Sequence, residues 1–153
     1  MRKTLSIICA FCCSLGLFPS CSGIECPVEN RVYTLYQGAD TLRDTLTVFT
    51  HRADGTDTIL LNQASYVVSF ELPISYQAPV DTLFFRFHRA AVTDTVYVAK
   101  TNEPHFESVD CNAAFFHTLQ SVTFTRHAIA GLTINNPAVN YEVSSPHFHI
   151  QFR

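Results

Sequence analysis

The chain has 153 residues, with ten Lys and Arg against thirteen Asp and Glu and a hydrophobic fraction of 47%. Thirteen Phe and so high a hydrophobic fraction exclude a largely disordered chain, and the length fits one ordinary domain. The basic residues are dispersed along the sequence, which argues against nucleic acid as a partner. We therefore expect a single folded domain that does not bind nucleic acid.

The first residues have the pattern of an export signal. Arg2 and Lys3 precede an uncharged stretch, residues 5–18, that is too short to span a bilayer. The following Ser20-Cys21 resembles the lipobox of bacterial lipoproteins, in which the cysteine is acylated and becomes the mature N-terminus. We predict removal of residues 1–20 and lipid attachment at Cys21, with the membrane as a partner through that N-terminal lipid. The alternative is an ordinary secretory signal cut nearby, which leaves Cys21 as a thiol.

Residues 21–30 contain Gly23, Pro27 and polar neighbours, and predict a short tether between the lipid and a domain at residues 31–153. If Cys21 carries lipid, Cys26 and Cys111 are the cysteines left over in the exported chain. An oxidising compartment favours a disulfide between them. Closing so long a loop would stabilise the fold by about 4 kcal/mol. Two free buried thiols are the alternative interpretation.

Residues 44–58 and 81–95 are two copies of one pattern. Nine of the fifteen aligned positions are identical without a gap, including Asp-Thr at the start, His-Arg-Ala in the middle and Thr-Asp-Thr at the end. Each copy alternates, turns and alternates again, so we predict two similar β-hairpins within one sandwich. Alternation predicts side chains in the core at Leu46, Val48, Ile59, Leu61, Leu83, Phe85, Phe87, Val96 and Val98.

Further strand patterns follow in chain order between and after the two copies. Residues 68–72 alternate up to Pro73, residues 122–124 match residues 132–134 in pattern across a segment with Gly131, and residues 148–152 alternate at the end of the sequence. Only residues 112–118 suggest a helix, at most one short one that Asn112 caps. Many short strands separated by turn residues predict an all-β fold, a single antiparallel β-sandwich of immunoglobulin-like type.

The histidines are the only residues that suggest a metal site. His147 and His149 lie two apart on the last predicted strand, where they share a face, and are weak candidates for a metal-binding pair. An exposed polar face opposite Phe148 and Ile150 explains them better, because a metal site needs further ligands and a supporting shell. We expect neither metal nor cofactor. The duplicated His-Arg-Ala, at 51–53 and 88–90, fits either paired anion sites or hairpin ends, and we favour hairpin ends.

A resemblance adds to this interpretation. The segment Pro104-His105-Phe106, followed by Ser108, Cys111, Leu119, Ser121, Val122 and the segment 134–137, resembles a family of small Bacteroidota-type lipoproteins that carry a domain of unknown function. The resemblance implies an exported, lipid-anchored β-domain with cysteines matching Cys21, Cys26 and Cys111. It implies no activity, substrate or catalytic residue.

The sequence contains neither a Gly-x-Ser-x-Gly elbow nor a His-Glu-x-x-His helix, and it has too few glycines for a phosphate loop. We therefore predict a non-catalytic lipoprotein of the cell envelope, expected at the outer membrane, that serves as a structural or protein-interaction module. Its expected partner is another envelope protein. The alternative is a surface glycan-binding module, in which exposed rings stack on sugars. Its candidate rings are Phe49, Phe84, Tyr97 and Tyr141.

Overall fold

The computed structural model describes residues 32–153. The predicted signal, tether, Cys21 and Cys26 lie outside the described residues and stay predictions. Within residues 32–153, no helix meets the length and hydropathy that crossing a membrane requires. The strands are β1 (Tyr33–Gly38), β2 (Thr45–His51), β3 (Asp57–Ser65), β4 (Ser69–Pro73), β5 (Val80–Phe87), β6 (Val92–His105), β7 (Ala114–Phe124), β8 (Ile129–Ile134), β9 (Ala138–Val139) and β10 (Phe148–Phe152).

These strands form two sheets that pack face to face, which confirms the all-β sandwich. The smaller sheet has the order β4-β1-β10-β8 and the larger has the order β3-β2-β5-β6-β7-β9. All pairs are antiparallel except β1 with β10, which run parallel. Because β1 and β10 run in the same direction, the segment after β1 and the end of the sequence lie at the same end of the sandwich.

Stacked aromatic rings fill the centre of the core. The Tyr36 ring lies between those of Phe70 and Phe148, with centroid distances of 5.0 and 4.6 Å. Phe85 of the larger sheet meets Tyr36 across the core at 6.1 Å. Aromatic pairs of this kind add to the free energy gained by removing their apolar area from water. Burial raises the pKa of the Tyr36 phenol, so the hydroxyl stays neutral inside the sandwich.

The two sequence copies are neighbouring hairpins, as predicted. The first copy forms β2 and β3, the second forms β5 and β6, and β2 pairs with β5. Val48 lies directly opposite Phe85, which is its counterpart in the second copy. An antiparallel pair in which counterparts face each other has a local two-fold axis through that pair. The repeat therefore builds four of the six strands of the larger sheet around a pseudo-two-fold axis. The predicted core residues that are buried are Leu46, Val48, Leu83, Phe85, Phe87, Val96 and Val98.

The prediction for Ile59 was wrong, because β3 contains an irregularity that the alternation does not reveal. Val48 pairs with Leu61, whereas the next residue, Phe49, pairs with Ile59, so Leu60 is an extra residue. A bulge of this kind moves the following side chains to the other face of the sheet. Ile59 thus faces outward and is 57% exposed.

Two further expectations need correction. Residues 114–118 are not helical but belong to β7, because residues 101–105 of β6 pair with them and a helix of one or two turns is marginal in comparison. Residues 122–124 and 132–134 do not pair, since β7 and β8 lie in opposite sheets. Gly131 is a strand residue of β8, and the connection is residues 125–128.

Candidate interaction face

The outer surface of the larger sheet is the strongest candidate for a functional site. Pairing places Phe49 of β2 opposite Phe84 of β5 on the face that points away from the core. Tyr97 of β6 pairs with Thr82, two residues from Phe84, and lies on the same face. Three of the four candidate rings, Phe49, Phe84 and Tyr97, therefore share one surface. We call this surface the outer face; it also includes Ile59 and Val80.

Two of these rings cover each other. Phe49 and Phe84 stack with their centroids 5.2 Å apart, and the ring of His51 lies 4.4 Å from that of Phe84. The guanidinium carbon of Arg86 lies 4.7 Å from the centre of the Phe49 ring, a cation–π contact. As a result Phe49 is only 6% exposed. The stack thus forms a firm apolar base and offers little free ring surface.

Exposed apolar side chains surround this base. Ile59 is 57% exposed, Tyr97 is 45% exposed and Val80 is 44% exposed. Exposed apolar side chains gathered on one face of a sheet are typical of a surface that another molecule covers. Threonines at positions 82, 95 and 123 lie among these side chains. Apolar side chains and threonines thus occupy part of the face, while Arg86, His51 and Asp57 lie on the same face beside the Phe49–Phe84 stack. Apolar groups bordered by polar and charged ones are a common composition of protein interfaces.

The fourth candidate ring belongs to a different cluster. Tyr141 meets the Phe116 ring edge-on at 5.0 Å and the His105 ring at 5.9 Å, while His105 and Phe116 stack at 4.0 Å. His105 ends β6 and Phe116 lies near the start of β7, whereas Tyr141 lies in the segment after β9, so this cluster is far along β6 from Tyr97. The candidate rings are therefore partly covered or dispersed, and do not form one flat three-ring platform.

The two candidate metal ligands lie in different environments. His147 is fully buried, its Nδ1 accepts a hydrogen bond from the Leu35 amide at 2.9 Å, and its own amide donates to the Leu35 carbonyl. Burial lowers the pKa of His147, so the ring stays neutral and fills the end of the β1–β10 ladder. His149 is exposed on β10. The prediction that His147 and His149 share one face was wrong, because β10 begins at Phe148 and His147 precedes it. Among residues 32–153, no group of three metal-ligand side chains is found.

Cys111 is half-buried in the connection between β6 and β7, where its amide donates to the Ser108 carbonyl. The first described residue, Val32, lines a cavity of about 250 Å³ together with Ala113, so the chain enters the sandwich beside this connection. Tyr76 and Phe115 line the same cavity, with their rings stacked at 4.6 Å. The entry point of the chain and Cys111 therefore lie at the same end of the sandwich.

The sequence interpretation missed a buried polar cluster. Lys100 Nζ, which is fully buried, lies 2.8 Å from Asp81 Oδ1 and 2.9 Å from the Ala78 carbonyl oxygen. His117 lies nearby and bonds Asn102 Oδ1 through Nδ1 at 2.7 Å. Burial, and to a lesser degree the positive charge of Lys100, lowers the pKa of His117 to about 4. The alternation of Val96, Val98 and Lys100 could have indicated an inward lysine.

A second missed feature is the carboxylate of Asp94. Its side chain is fully buried and accepts hydrogen bonds from the Thr125 hydroxyl, from the backbone amides of His127, Ala128 and Ile129, and from His127 Nδ1, at 2.7–2.9 Å. Asp94 therefore holds the connection that carries the chain from the larger sheet to the smaller. The sequence did not reveal this role, because Asp94 lies in the same Thr-Asp-Thr motif as Asp57, whose side chain is exposed and pairs with His51.

Comparison with known proteins adds a family but no activity. No curated protein and no solved structure matches the chain. A family model described as a family of unknown function, DUF6452, matches residues 45–152, which is more than two thirds of the chain and includes β2 to β10. The chain belongs to this family of unknown function.

Proposed function

We propose that this protein is a lipid-anchored, non-catalytic component of the bacterial cell envelope and that its outer face binds another envelope protein. The observation that carries the interaction is the exposed apolar surface of Ile59, Val80 and Tyr97 around the Phe49–Phe84 stack. Water contact with this surface is unfavourable, and a protein partner that covered it would gain the corresponding free energy.

A protein partner explains the face better than a glycan does. Stacking on a sugar needs a free ring surface, but Phe49 is covered and Tyr141 lies in another cluster. Tyr97 is the exposed ring beside the stack, so a glycan module would depend on it. Branched aliphatic side chains at positions 59 and 80 suit a complementary protein surface.

Photo-crosslinking in living cells tests the interaction. A benzophenone amino acid at position 97 should give an adduct with a distinct protein, and the same group at Thr133, exposed on β8 of the other sheet, should not. An additional Ile59→Glu substitution should reduce the adduct, because a charge would have to be buried. Equal adducts at both positions, or none at either, would contradict the proposal. Glycan-array binding lost on Tyr97→Ala would favour the glycan alternative.

The lipid anchor is proposed from the N-terminal sequence, with Arg2, Lys3, an apolar stretch and Ser20-Cys21. Cells fed a palmitate analogue should label the protein, and Cys21→Ser should abolish the label. A labelled Cys21→Ser variant, or an unlabelled wild-type protein, would contradict acylation at this residue. Protease added to intact cells then distinguishes a surface-exposed domain, which is cleaved, from one facing the periplasm, which is protected.

The Cys26–Cys111 disulfide stays part of the proposal. Its support is that residue 32 enters the sandwich beside the connection that holds Cys111, and six residues of extended chain span roughly 20 Å. Such a bond would fix the tether to the domain. Mass spectrometry of non-reduced peptides should find the two cysteines linked, and free thiols at both positions would end this part of the proposal.

A further inference from the structure

The end of the sandwich opposite Val32 has a cavity that the interaction face does not include. Its volume is about 340 Å³, and it lies between the segment after β1, the turn of the second hairpin and the end of β10. We call it the arginine cavity, and its main lining residues are Leu42, Arg43, Phe87, Arg89, Phe152 and Arg153.

Positive charge surrounds this cavity. Arg43, Arg89 and Arg153 are all exposed at its rim, although they are far apart in sequence. Among the described residues that line it, Asp44 has the only carboxylate side chain, which accepts hydrogen bonds from the amides of Thr45, Arg89 and Ala90 at 2.6–3.0 Å. The Asp44 oxygens are thus engaged by backbone amides, and the Asp44 charge also interacts with that of Arg89, so three guanidinium groups face one side-chain carboxylate among the described lining residues.

The floor of the cavity is apolar. Phe87 is 1% exposed and Leu42 is 6% exposed, and the rings of Phe87 and Phe152 meet edge-on at 5.9 Å. An adjoining cavity of about 220 Å³ shares Arg43 and Arg89 and adds Tyr66. Tyr66 is 79% exposed and has a positive φ of 55°, a backbone conformation that is uncommon for a bulky residue. The two cavities that share Arg43 and Arg89 are thus lined by the rings of Phe87 and Phe152 in one case and by that of Tyr66 in the other.

The repeat supplies an internal comparison. Arg52 is the counterpart of Arg89 in the first copy, but among residues 32–153 the cavity beside Arg52 is lined by Asp54 and Asp81 and by no second arginine. Only the second His-Arg-Ala turn thus meets additional guanidinium groups. The excess of positive charge belongs to one end of the fold and is not a general property of the motif.

We propose that the arginine cavity binds a carboxylate carried on an apolar body, either a free organic acid or the C-terminal carboxylate of a peptide that ends in an aromatic residue. Guanidinium groups form paired, charge-assisted hydrogen bonds with carboxylates. An apolar floor flanked by a few charged groups is the usual composition of a small-ligand site, and the volume is in the range for such sites. This site is separate from the outer face and does not depend on it.

Calorimetric titration of the full chain tests the site with two matched probe pairs. The first pair is 4-phenylbutanoate and its neutral amide, and the second is acetyl-Ala-Leu-Phe with a free or an amidated C-terminus. At least one carboxylate should bind. Its amide should bind at least about tenfold more weakly, because the charge-assisted hydrogen bonds are lost. Arg43→Gln and Arg89→Gln should each weaken binding about tenfold, whereas Arg52→Gln should leave it unchanged.

The outcomes separate the two sources of ligand. Binding of phenylbutanoate alone indicates a free acid, and binding of the tripeptide alone indicates a peptide terminus. Circular dichroism of each variant checks that the fold is kept. The inference is overturned if neither carboxylate binds at millimolar concentration, if the amides bind equally well, or if Arg52→Gln weakens binding as much as Arg89→Gln does.

Discussion

Replacing Asp94 by Asn should destabilise the protein severely, and the repeat provides a matched control. Oδ2 of Asp94 accepts hydrogen bonds from the amides of Ala128 and Ile129, both at 2.8 Å, in a fully buried site. An Asn side chain has only one oxygen, so its NH₂ group would face donors at one of the two positions. Each buried donor left without an acceptor costs about 1–3 kcal/mol. We expect Asp94→Asn to lower the free energy of unfolding by about 3–5 kcal/mol.

The counterpart substitution should have almost no effect. Asp57 occupies the same position in the first copy, but its side chain and that of His51, 2.5 Å away, are both about half exposed. Exposed ion pairs contribute about 0–1 kcal/mol. Urea unfolding of wild type, Asp94→Asn and Asp57→Asn, followed by circular dichroism, measures the difference. A loss of less than about 1 kcal/mol in Asp94→Asn, or equal losses in both variants, would refute the assigned role.

Asp94 also predicts how stability depends on pH. Burial raises the pKa of Asp94, but the hydrogen bonds from His127, Thr125, Ala128 and Ile129 together outweigh it and hold the pKa at about 2. The unfolded carboxyl takes up a proton near pH 3.8, whereas the folded one remains ionised, so acid favours the unfolded chain. About 2 kcal/mol of stability should be present above pH 4 and lost as the pH falls to 2. Asp94→Asn should remove this part of the acid sensitivity.

Three further substitutions test other parts of the fold. Asp44→Ala removes the acceptor for three backbone amides of an exposed turn and should cost about 1–2 kcal/mol in urea unfolding, as the loss of a helix cap does. Lys100→Met leaves Asp81 without its cation in a mostly buried site and should lower the free energy of unfolding by about 3–5 kcal/mol. A second substitution in the same chain, Asp81→Asn, should restore part of this loss. Full stability of Lys100→Met alone would contradict the assigned role. The folded His117 ring stays neutral down to about pH 4, while the unfolded ring is protonated below about 6.5, so wild-type stability should decrease as the pH is lowered from 6.5 to 4. His117→Gln should make this decrease smaller and leave the contribution of His147. An unchanged decrease would be the contrary result.

The sequence by itself determined the fold class and most of the core. Strands of period two expose and bury alternate side chains whatever they pair with, so Leu46, Val48, Phe85 and Val96 could be assigned to the core before their partners were known. The two copies predicted two hairpins for the same reason, since turn residues between alternating runs are local signals.

Tertiary pairing decided what local patterns do not contain. The register of β3 against β2 shifts twice, and the shift that leaves Leu60 as an extra residue places Ile59 on the outer face and not in the core. In the first hairpin Asp57 pairs with His51, whereas in the second Asp94 pairs with Phe85. The pairing register of the second hairpin is therefore shifted by three residues relative to the first. The aspartate of the same Thr-Asp-Thr sequence is therefore exposed in one copy and buried in the other.

The candidate sites depended most on the tertiary structure. Arg43, Arg89 and Arg153 are dispersed in the sequence and converge only because β1 and β10 run parallel and end beside the turn of the second hairpin. His147 and His149 looked equivalent until the start of β10 placed one in the core. Periodicity is a property of neighbours along the chain, whereas a binding site is made by residues that distant strands bring together, and for that reason the strands were predictable and the sites were not.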